Sequence, residues 1–345
     1  MPASKEIQEY VETELPYKIL MHIYEDSRAP LRELGREAGI SHHTISKVLQ
    51  ECEKRYDIRY TLDLDLHALG FHTGKLVTIK FGRVPSADFL KKRLHGDVFV
   101  QDAYLASGDF DLMLYVVGLT PEDFQRWQFM LRVELSDYKP KVSVSDVNMY
   151  MDGFLPVKNE LIKSSEAISD VEKRVLVALN DNSRIKMKEL SRVTKLSPTS
   201  VFYIMNKLKA KGVIRKYTSL TQNPSKRLLL AYSVKLTPMK DHKTLSVNLS
   251  KAILSESYHE VTNEYCTFIN TNGAIDAFFI CTFQDGEELS KRGTNLIQTL
   301  WRKEDPITEQ ALLTGLVVGM WPFHLESHVK HKDYLKKEES SLQSR

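Results

Sequence analysis

Two stretches of the chain align without a gap and decide the fold. The first is EDSRAPLRELGREAGISHHTISKVLQ (25–50), and the second is DNSRIKMKELSRVTKLSPTSVFYIMN (181–206). The dipeptide Ser27-Arg28 returns as Ser183-Arg184 at a spacing of 156 residues. A repeat of this period indicates a duplicated domain. The 345-residue chain is therefore predicted to carry two tandem copies of one unit.

Each copy begins with the pattern of a winged helix-turn-helix, which is three helices followed by a short strand. In the second copy, Ser169 and Glu172 form a capping box that starts the first helix. Ser197 then starts the third helix as its N-cap, and Gly212 ends that helix. In the first copy, the corresponding helices are predicted at 15–24, at 31–38 and after Ser41.

The third helix of the second copy has the residue types of a DNA-recognition helix. Donors, acceptors and cations suited to base edges and phosphates occupy its outward face and the following wing, namely Ser197, Thr199, Ser200, Tyr203, Asn206, Lys207, Arg215 and Lys216. Between residues 184 and 216, ten basic residues stand against one acid, Glu189. This local charge of +9 lies in a chain whose net charge is only +3. It predicts binding to double-stranded DNA.

The first copy carries a weaker form of the same signal. Its candidate DNA-binding residues are His42, His43, Thr44 and Lys47. Residues 28–59 hold seven bases and five acids, a local charge of only +2. Two interpretations stay open: this copy contacts DNA, where its histidines would make binding pH-dependent, or it only packs against a partner.

A strand-rich part follows each helical part. Its order is β-α-β-β-α-β, which is the ferredoxin-like arrangement, so the fold class is α+β. In the first copy the elements are predicted at 74–81, 87–94, 98–106, 110–117, 121–132 and 142–150. In the second copy they are predicted at 228–236, 243–254, 259–270, 274–283, 287–301 and 311–318. Such a sheet leaves one face open, and stacking of sheets between two chains or within one chain would cover it.

These elements define the predicted domains. The winged helix-turn-helix domains are 1–60 and 169–220, the ferredoxin-like domains are 61–152 and 221–320, 153–168 is a linker, and 321–345 is a charged tail. Assembly through the sheet domains is expected to give either a homo-oligomer or an intrachain pseudo-dimer.

The chain resembles the Lrp/AsnC (feast/famine) regulators. The match lies in Leu196-Ser197-Pro198-Thr199, in 212–217 and in the turn 108–111. The resemblance implies transcription regulation and binding of a small effector, often an amino acid. Gly108, Asp109 and Asp111 are the candidate effector residues, although a hairpin turn whose acid caps backbone N–H groups explains them better. Members usually carry one unit per chain, whereas this chain carries two.

An enzyme is the main alternative from another class, because sirohaem decarboxylases resemble the same two-part unit. Such an enzyme would need histidines and arginines around a tetrapyrrole. His67, His72 and His95 are available, but 101–104 and 264–266 hold no such cluster. A scaffold that keeps the fold without binding DNA is a third interpretation. No nucleophile elbow or phosphate loop occurs, so no enzymatic activity and no cofactor are predicted.

Two further expectations concern the ends of the chain and its location. His324, His328 and His331 would share one face of a C-terminal helix, but a solvated polar face explains them better than a metal site, so no metal is predicted. No apolar run is long enough to span a bilayer and the N-terminus is polar. A cytoplasmic protein without a membrane partner is therefore expected.

Overall fold

Two compact units make up the described part of the chain. The computed structural model describes residues 15–71, 74–118, 120–147, 149–151, 156–221, 228–235, 264–269, 275, 277–283, 285–293 and 307–319. The winged-helix unit combines the residues up to 70 with 155–224, and the sheet unit combines 71–154 with 225–320. Both helical parts of the repeat thus belong to one unit and both strand-rich parts to the other. Each unit thus combines segments from both halves of the sequence, which the predicted tandem order of domains did not include. The domain boundaries stay predictions.

The helices and strands follow the predicted order. The helices are α1 (Leu15–Glu25), α2 (Leu31–Ala38), α3 (His42–Tyr56), α4 (Ala87–His95), α5 (Pro121–Glu134), α6 (Asn159–Ser164), α7 (Asp170–Asp181), α8 (Met187–Thr194), α9 (Pro198–Ala210) and the short α10 (Gly286–Glu288). The strands are β1 (Ile58–Leu64), β2 (Gly74–Phe81), β3 (Val100–Gly108), β4 (Leu112–Val117), β5 (Pro140–Val147), β6 (Met149–Met151), β7 (Ile214–Thr221), β8 (Leu228–Lys235), β9 (Glu264–Ile269), β10 (Ala277–Phe283) and β11 (Ile307–Val318).

Most predicted elements are confirmed to within a few residues. The predicted strand at 142–150 is divided into β5 and β6, and the strand after α9 extends to Thr221. The helix predicted at 243–254 lies outside the described residues. Of the helix predicted at 287–301, only the part up to 293 is described, as α10 followed by a π-helical turn.

The predicted caps set the helix starts in the winged-helix unit. The Ser41 side chain accepts a hydrogen bond from the Thr44 N–H at the start of α3. Ser169 and Glu172 form the complete capping box of α7. Each cap satisfies backbone donors that the first helical turn leaves without partners. The apolar stripes of these helices are buried, with Ile45 and Val201 both at 0% exposure.

The two helical parts join through one antiparallel pair of strands. Strand β1 pairs with β7 over their whole lengths, and Thr61 lies opposite Thr218. The side-chain oxygens of Ser27 and Ser183 lie 2.6 Å apart, and both residues are fully buried. Ser27 and Ser183 are equivalent residues of the predicted repeat. The two helical parts therefore form one body, with a shared polar contact at its centre.

The sheet unit contains one nine-stranded antiparallel sheet. Its order is β5-β2-β4-β3-β11-β8-β10-β9-β6. The strands of each half stand in the order 4-1-3-2, which is compatible with a βαββαβ arrangement. Helices α4 and α5 pack on the first half through Leu90, Leu94, Phe124 and Leu131, all of which belong to its hydrophobic core.

The halves of the sheet meet edge to edge within the chain. Strand β3 of the first half pairs with β11 of the second, and β6 pairs with β9. Strands β5 and β6 are separated by one residue in the chain but stand at the two ends of the sheet order. The sheet is therefore curled. Within the chain the two halves form one continuous sheet, in which their strand edges complete each other's hydrogen bonds. Stacking of sheets between two chains stays a prediction.

Candidate nucleic-acid interface

Helix α9 is amphipathic in the way that a recognition helix requires. Val201, Ile204, Met205 and Leu208 are buried against the rest of the winged-helix unit. The opposite face is exposed and holds Thr199, Ser200, Phe202, Tyr203, Asn206 and Lys207. Phe202 and Tyr203 are 58% and 67% exposed. An exposed pair of large rings on one helix face is uncommon in a monomeric surface and indicates a contact surface.

The start of α9 is fixed by two serines. Ser197 Oγ accepts from the Ser200 N–H at 3.1 Å, and the two hydroxyl oxygens lie 2.8 Å apart. Pro198 follows at the first helical position, where a missing N–H costs nothing. The exposed N-terminus of a 13-residue helix carries partial positive charge and attracts a phosphate. Ser197 and Ser200 therefore hold the helix start at which a DNA backbone is expected to lie.

The basic cluster of residues 184–216 is partly neutralised by acids from elsewhere in the winged-helix unit. Lys207, Arg215 and Lys216 pair with Glu172, Asp63 and Glu25, respectively. These three acids reduce the local charge, in which Glu189 is already counted, from +9 to about +6. Lys186, Lys188 and Lys195 remain exposed at α8 and at the turn before α9. These three lysines are the cations best placed to meet phosphates.

Glu172 is a nearly buried carboxylate that connects α7 to the recognition helix. Its Oε2 accepts from the Ser169 N–H at 2.8 Å, and its Oε1 lies 3.0 Å from Lys207 Nζ and 3.7 Å from Lys211 Nζ. Burial opposes its ionisation, but the hydrogen bonds from Ser169 and the positive charges of the two lysines lower the pKa of Glu172 to about 2. Glu172 therefore stays charged and holds the C-terminal half of α9 on α7.

The two wing residues predicted to bind DNA both pair with acids of the same unit. Arg215 lies 2.9 Å from Asp63 and also donates to the Leu64 carbonyl. Lys216 pairs with Glu25 and lies 3.9 Å above the ring of Tyr24. Burial raises the pKa of Asp63, although Arg215 opposes that effect. Both cations support the packing of β7 against the first helical part, so their DNA role stays a prediction.

Helix α3 presents the candidates of the first copy on an exposed face. His42, His43 and Lys47 are exposed, and Thr44 is partly covered by the cap at Ser41. Lys47 forms only a 4.0 Å surface pair with Glu51, and such pairs contribute little energy. The structure thus brings these side chains together on one helix face, as predicted.

The candidate effector turn is occupied by contacts within the sheet unit. Asp111 accepts from the Phe81 N–H and from Lys80 Nζ, both at 2.8 Å. Asp109 accepts from the Gln310 N–H of strand β11. A Cβ at Gly108, which has φ +148°, would lie 2.3 Å from the Gln310 carbonyl oxygen. The geometry gives the turn a structural role, and an effector contact stays a prediction.

Among the described residues, the histidines considered for the alternative enzymatic site do not form a cluster. His67 belongs to the winged-helix unit and His95 to the sheet unit, and His72 lies outside the described residues. Among the residues that are described, no group of three or more His, Cys, Asp or Glu side chains is arranged to hold a metal. His324, His328 and His331 also lie outside the described residues. No described helix is long and apolar enough to cross a bilayer.

Comparison with known proteins identifies the second helical part. The winged helix-turn-helix DNA-binding family matches residues 168–215, so this segment is a winged helix-turn-helix DNA-binding domain. The HTH-type transcriptional regulator YugG of Bacillus subtilis (strain 168) is 28% identical over 120 residues, which cover 33% of this chain and 72% of that protein.

Solved structures extend the comparison to most of the chain. Siroheme decarboxylase NirDL aligns with a TM-score of 0.58 and 15% identity, covering 94% of this chain and 100% of its own. At this identity the likeness shows a shared fold and no shared activity. AsnC of E. coli aligns over 43% of this chain and 93% of its own, with 19% identity and a TM-score of 0.35.

Two functional features were missed by sequence reasoning. Phe202 was not predicted to face outward, although it is out of phase with the buried stripe of Val201 and Met205, and that phase was available from the sequence. The link from Glu172 to Lys207 and Lys211 was also missed. The capping box located Glu172, but only the packing of α7 against α9 shows which cations it meets.

Proposed function

We propose that the protein is a transcription regulator of the Lrp/AsnC type that binds double-stranded DNA through α9. The observation that carries the proposal is the exposed face of α9, which presents Tyr203 and Asn206 within a cluster of about +6 charge. The buried apolar residues of α9 fix the helix against the rest of the unit. The outward face of α9 is therefore held in place before DNA binds. Rigid presentation lowers the ordering cost of binding.

Filter binding of the full-length chain to duplex DNA at several salt concentrations tests this proposal. Three exposed lysines that each neutralise one phosphate give a slope of log K against log salt of about −3, and all ten basic residues would give about −9. We expect a value between these limits. Lys195→Gln should weaken binding on every sequence and reduce the slope by about 1. Lys91→Gln, an exposed cation of the sheet unit, is the matched control and should change nothing. An absence of binding at low salt would refute the proposal.

Assembly as an intrachain pseudo-dimer is part of the same proposal. Its support is the pairing of β1 with β7 and of β3 with β11, each of which joins the two predicted copies inside one chain. A homo-oligomer built from such chains, a small effector such as an amino acid and a cytoplasmic location stay predictions. Sedimentation of the purified chain over a range of concentrations gives its oligomeric state.

A sirohaem decarboxylase-like enzyme is the second candidate, because the fold is shared with NirDL over 94% of the chain. Against it, strand β3 carries Gln101, Asp102, Ala103 and Tyr104 and offers no histidine or arginine in that stretch. Addition of an iron tetrapyrrole to the purified protein separates the candidates. If the protein is such an enzyme, the Soret band shifts when the tetrapyrrole binds, and the carboxylated substrate is turned over. If it is a regulator, neither result is required.

A further inference from the structure

We propose that one chain binds a single non-palindromic DNA site, made of two inverted half-sites that differ in sequence. In this arrangement α9 reads a half-site rich in A·T pairs, and α3 reads a half-site that contains guanine. The inference rests on the proposed DNA-binding function. It goes further because it assigns a different base preference to each helix and one orientation to the chain on DNA.

The first observation is a local two-fold relation between the helical parts. The Ser27 N–H donates to the Tyr217 carbonyl at 2.9 Å, and the Ser183 N–H donates to the Tyr60 carbonyl at 3.3 Å. These are the same contact with the halves exchanged, and the direct contact of Ser27 with Ser183 lies between them.

A second pair of contacts repeats this exchange. Thr218 Oγ1 donates to the Tyr24 carbonyl at 2.8 Å, and Thr61 Oγ1 donates to the Asn180 carbonyl at 2.9 Å. Thr61 and Thr218 also lie opposite each other in the β1–β7 pair. Reciprocal contacts of this kind define an isologous interface around a two-fold axis. The axis exchanges α3 with α9, and a two-fold relation between recognition helices is what inverted half-sites require.

The second observation is that the two recognition faces carry different chemistry. At the spacing of 156, the outward positions of α3 and α9 pair as His43 with Thr199, Thr44 with Ser200, Ser46 with Phe202, Lys47 with Tyr203 and Gln50 with Asn206. Only the second and last pairs are conservative. A two-fold body with unlike faces cannot read both halves of a palindrome equally well.

The side chains indicate which bases each face reads. On α9, the exposed rings of Phe202 and Tyr203 suit the methyl groups of thymine, and Asn206 has the donor and acceptor that match the N6 and N7 of adenine. On α3, Lys47 has a side chain that is 71% exposed, and it suits the O6 and N7 acceptors of guanine. Each such contact typically discriminates between bases by about tenfold or more.

The test selects duplexes from a random pool with the full-length chain and then measures affinities by fluorescence anisotropy. Three duplexes are compared: the selected site, a palindrome of its A·T-rich half and a palindrome of its other half. The expected result is a non-palindromic consensus, one chain per duplex by sedimentation, and at least about tenfold weaker binding to each palindrome.

Variants of α3 assign the half-sites. A chain with His43→Thr, Thr44→Ser, Ser46→Phe, Lys47→Tyr and Gln50→Asn should come to prefer the A·T-rich palindrome. The single variant Lys47→Ala, which removes an exposed side chain, should lose discrimination at the guanine of one half only. Lys91→Gln in the sheet unit is the control for a lost positive charge and should keep the wild-type preference.

The outcomes separate this inference from the function on which it rests. A palindromic consensus, two chains per duplex, or a Lys47→Ala variant that discriminates like the wild type would overturn the asymmetric site and leave DNA binding intact. A pool from which no duplex is enriched would likewise overturn the asymmetric site, whereas an absence of binding to any duplex at low salt would overturn DNA binding itself, and the asymmetric site with it.

Discussion

Replacing Glu172 by glutamine tests how the recognition helix is held. Glutamine keeps an oxygen that accepts from the Ser169 N–H, so the capping box survives. It loses the charge that attracts Lys207 at 3.0 Å and Lys211 at 3.7 Å. The Glu172 side chain is only 5% exposed, so water cannot fully replace these contacts. The variant therefore isolates the ionic part of the contact between α7 and α9.

The pKa of Glu172 gives the magnitude. A fall from 4.5 to about 2 corresponds to an upper limit of about 3 kcal/mol, at 1.36 kcal/mol per unit. Lys207 and Lys211 are nearly half exposed, which screens part of this energy. Glu172→Gln should therefore destabilise the winged-helix unit by about 1–2 kcal/mol at pH 7. Because the pKa is lowered on folding, this contribution is complete above pH 4.5 and is lost as the pH falls toward 2.

Urea unfolding combined with hydrogen exchange of the α7 and α9 amides measures the effect. Glu189→Gln is the matched control, since Glu189 is an exposed acid that pairs with Arg192 on the surface of α8. A surface pair of this kind is screened by water and contributes little to stability. The difference between wild type and Glu172→Gln should shrink between pH 4.5 and pH 2. Equal effects of the two substitutions at pH 7, or a difference that does not depend on pH, would refute the reasoning.

Two further substitutions test the joints between the predicted copies. Gly108→Ala should destabilise the sheet unit by about 2 kcal/mol or more in thermal unfolding. Its Cβ would lie 2.3 Å from the Gln310 carbonyl oxygen, and the backbone there has φ +148°. The control Gly96→Ala, which has open space around it, should be neutral or slightly stabilising. Ser27→Ala should cost about 1 kcal/mol and should be non-additive with Ser183→Ala, since the two hydroxyl groups contact each other. If the double-mutant cycle shows additive changes in the free energy of unfolding, the Ser27 and Ser183 side chains do not interact, and their contact no longer supports the proposed two-fold axis.

Local elements of this fold could be predicted from the sequence because their signals are local. The caps at Ser41, Ser169 and Ser197 each lie within three residues of the N–H group they accept from, so the starts of α3, α7 and α9 were correctly placed. The alternation of strands and helices likewise gave the β-α-β-β-α-β order of the first sheet half. These features depend on neighbours along the chain and on nothing distant.

Contacts between the copies could not be predicted in the same way. Ser27 and Ser183 are 156 residues apart. In the sequence both are ordinary serines between helices, and nothing near either of them indicates that they contact each other. The partners of the basic cluster could not be predicted for the same reason. Counting charges along 184–216 predicts that Arg215 and Lys216 meet DNA, and only the structure shows that they also pair with Asp63 and Glu25 of the first copy. The net charge of a segment equals the charge of the surface it forms only where no acid from a distant part of the chain packs against it.

The central claim is that α9 carries most of the DNA contact. Genome-wide occupancy of the full-length chain tests it most directly, with Tyr203→Ala and Asn206→Ala combined in one variant and His42→Ala and His43→Ala in another. All four side chains are exposed, so both variants are expected to keep the wild-type fold. We expect the α9 variant to lose most of its occupied sites and the α3 variant to lose fewer. Equal losses from both variants, or an α9 variant that keeps its sites, would contradict it.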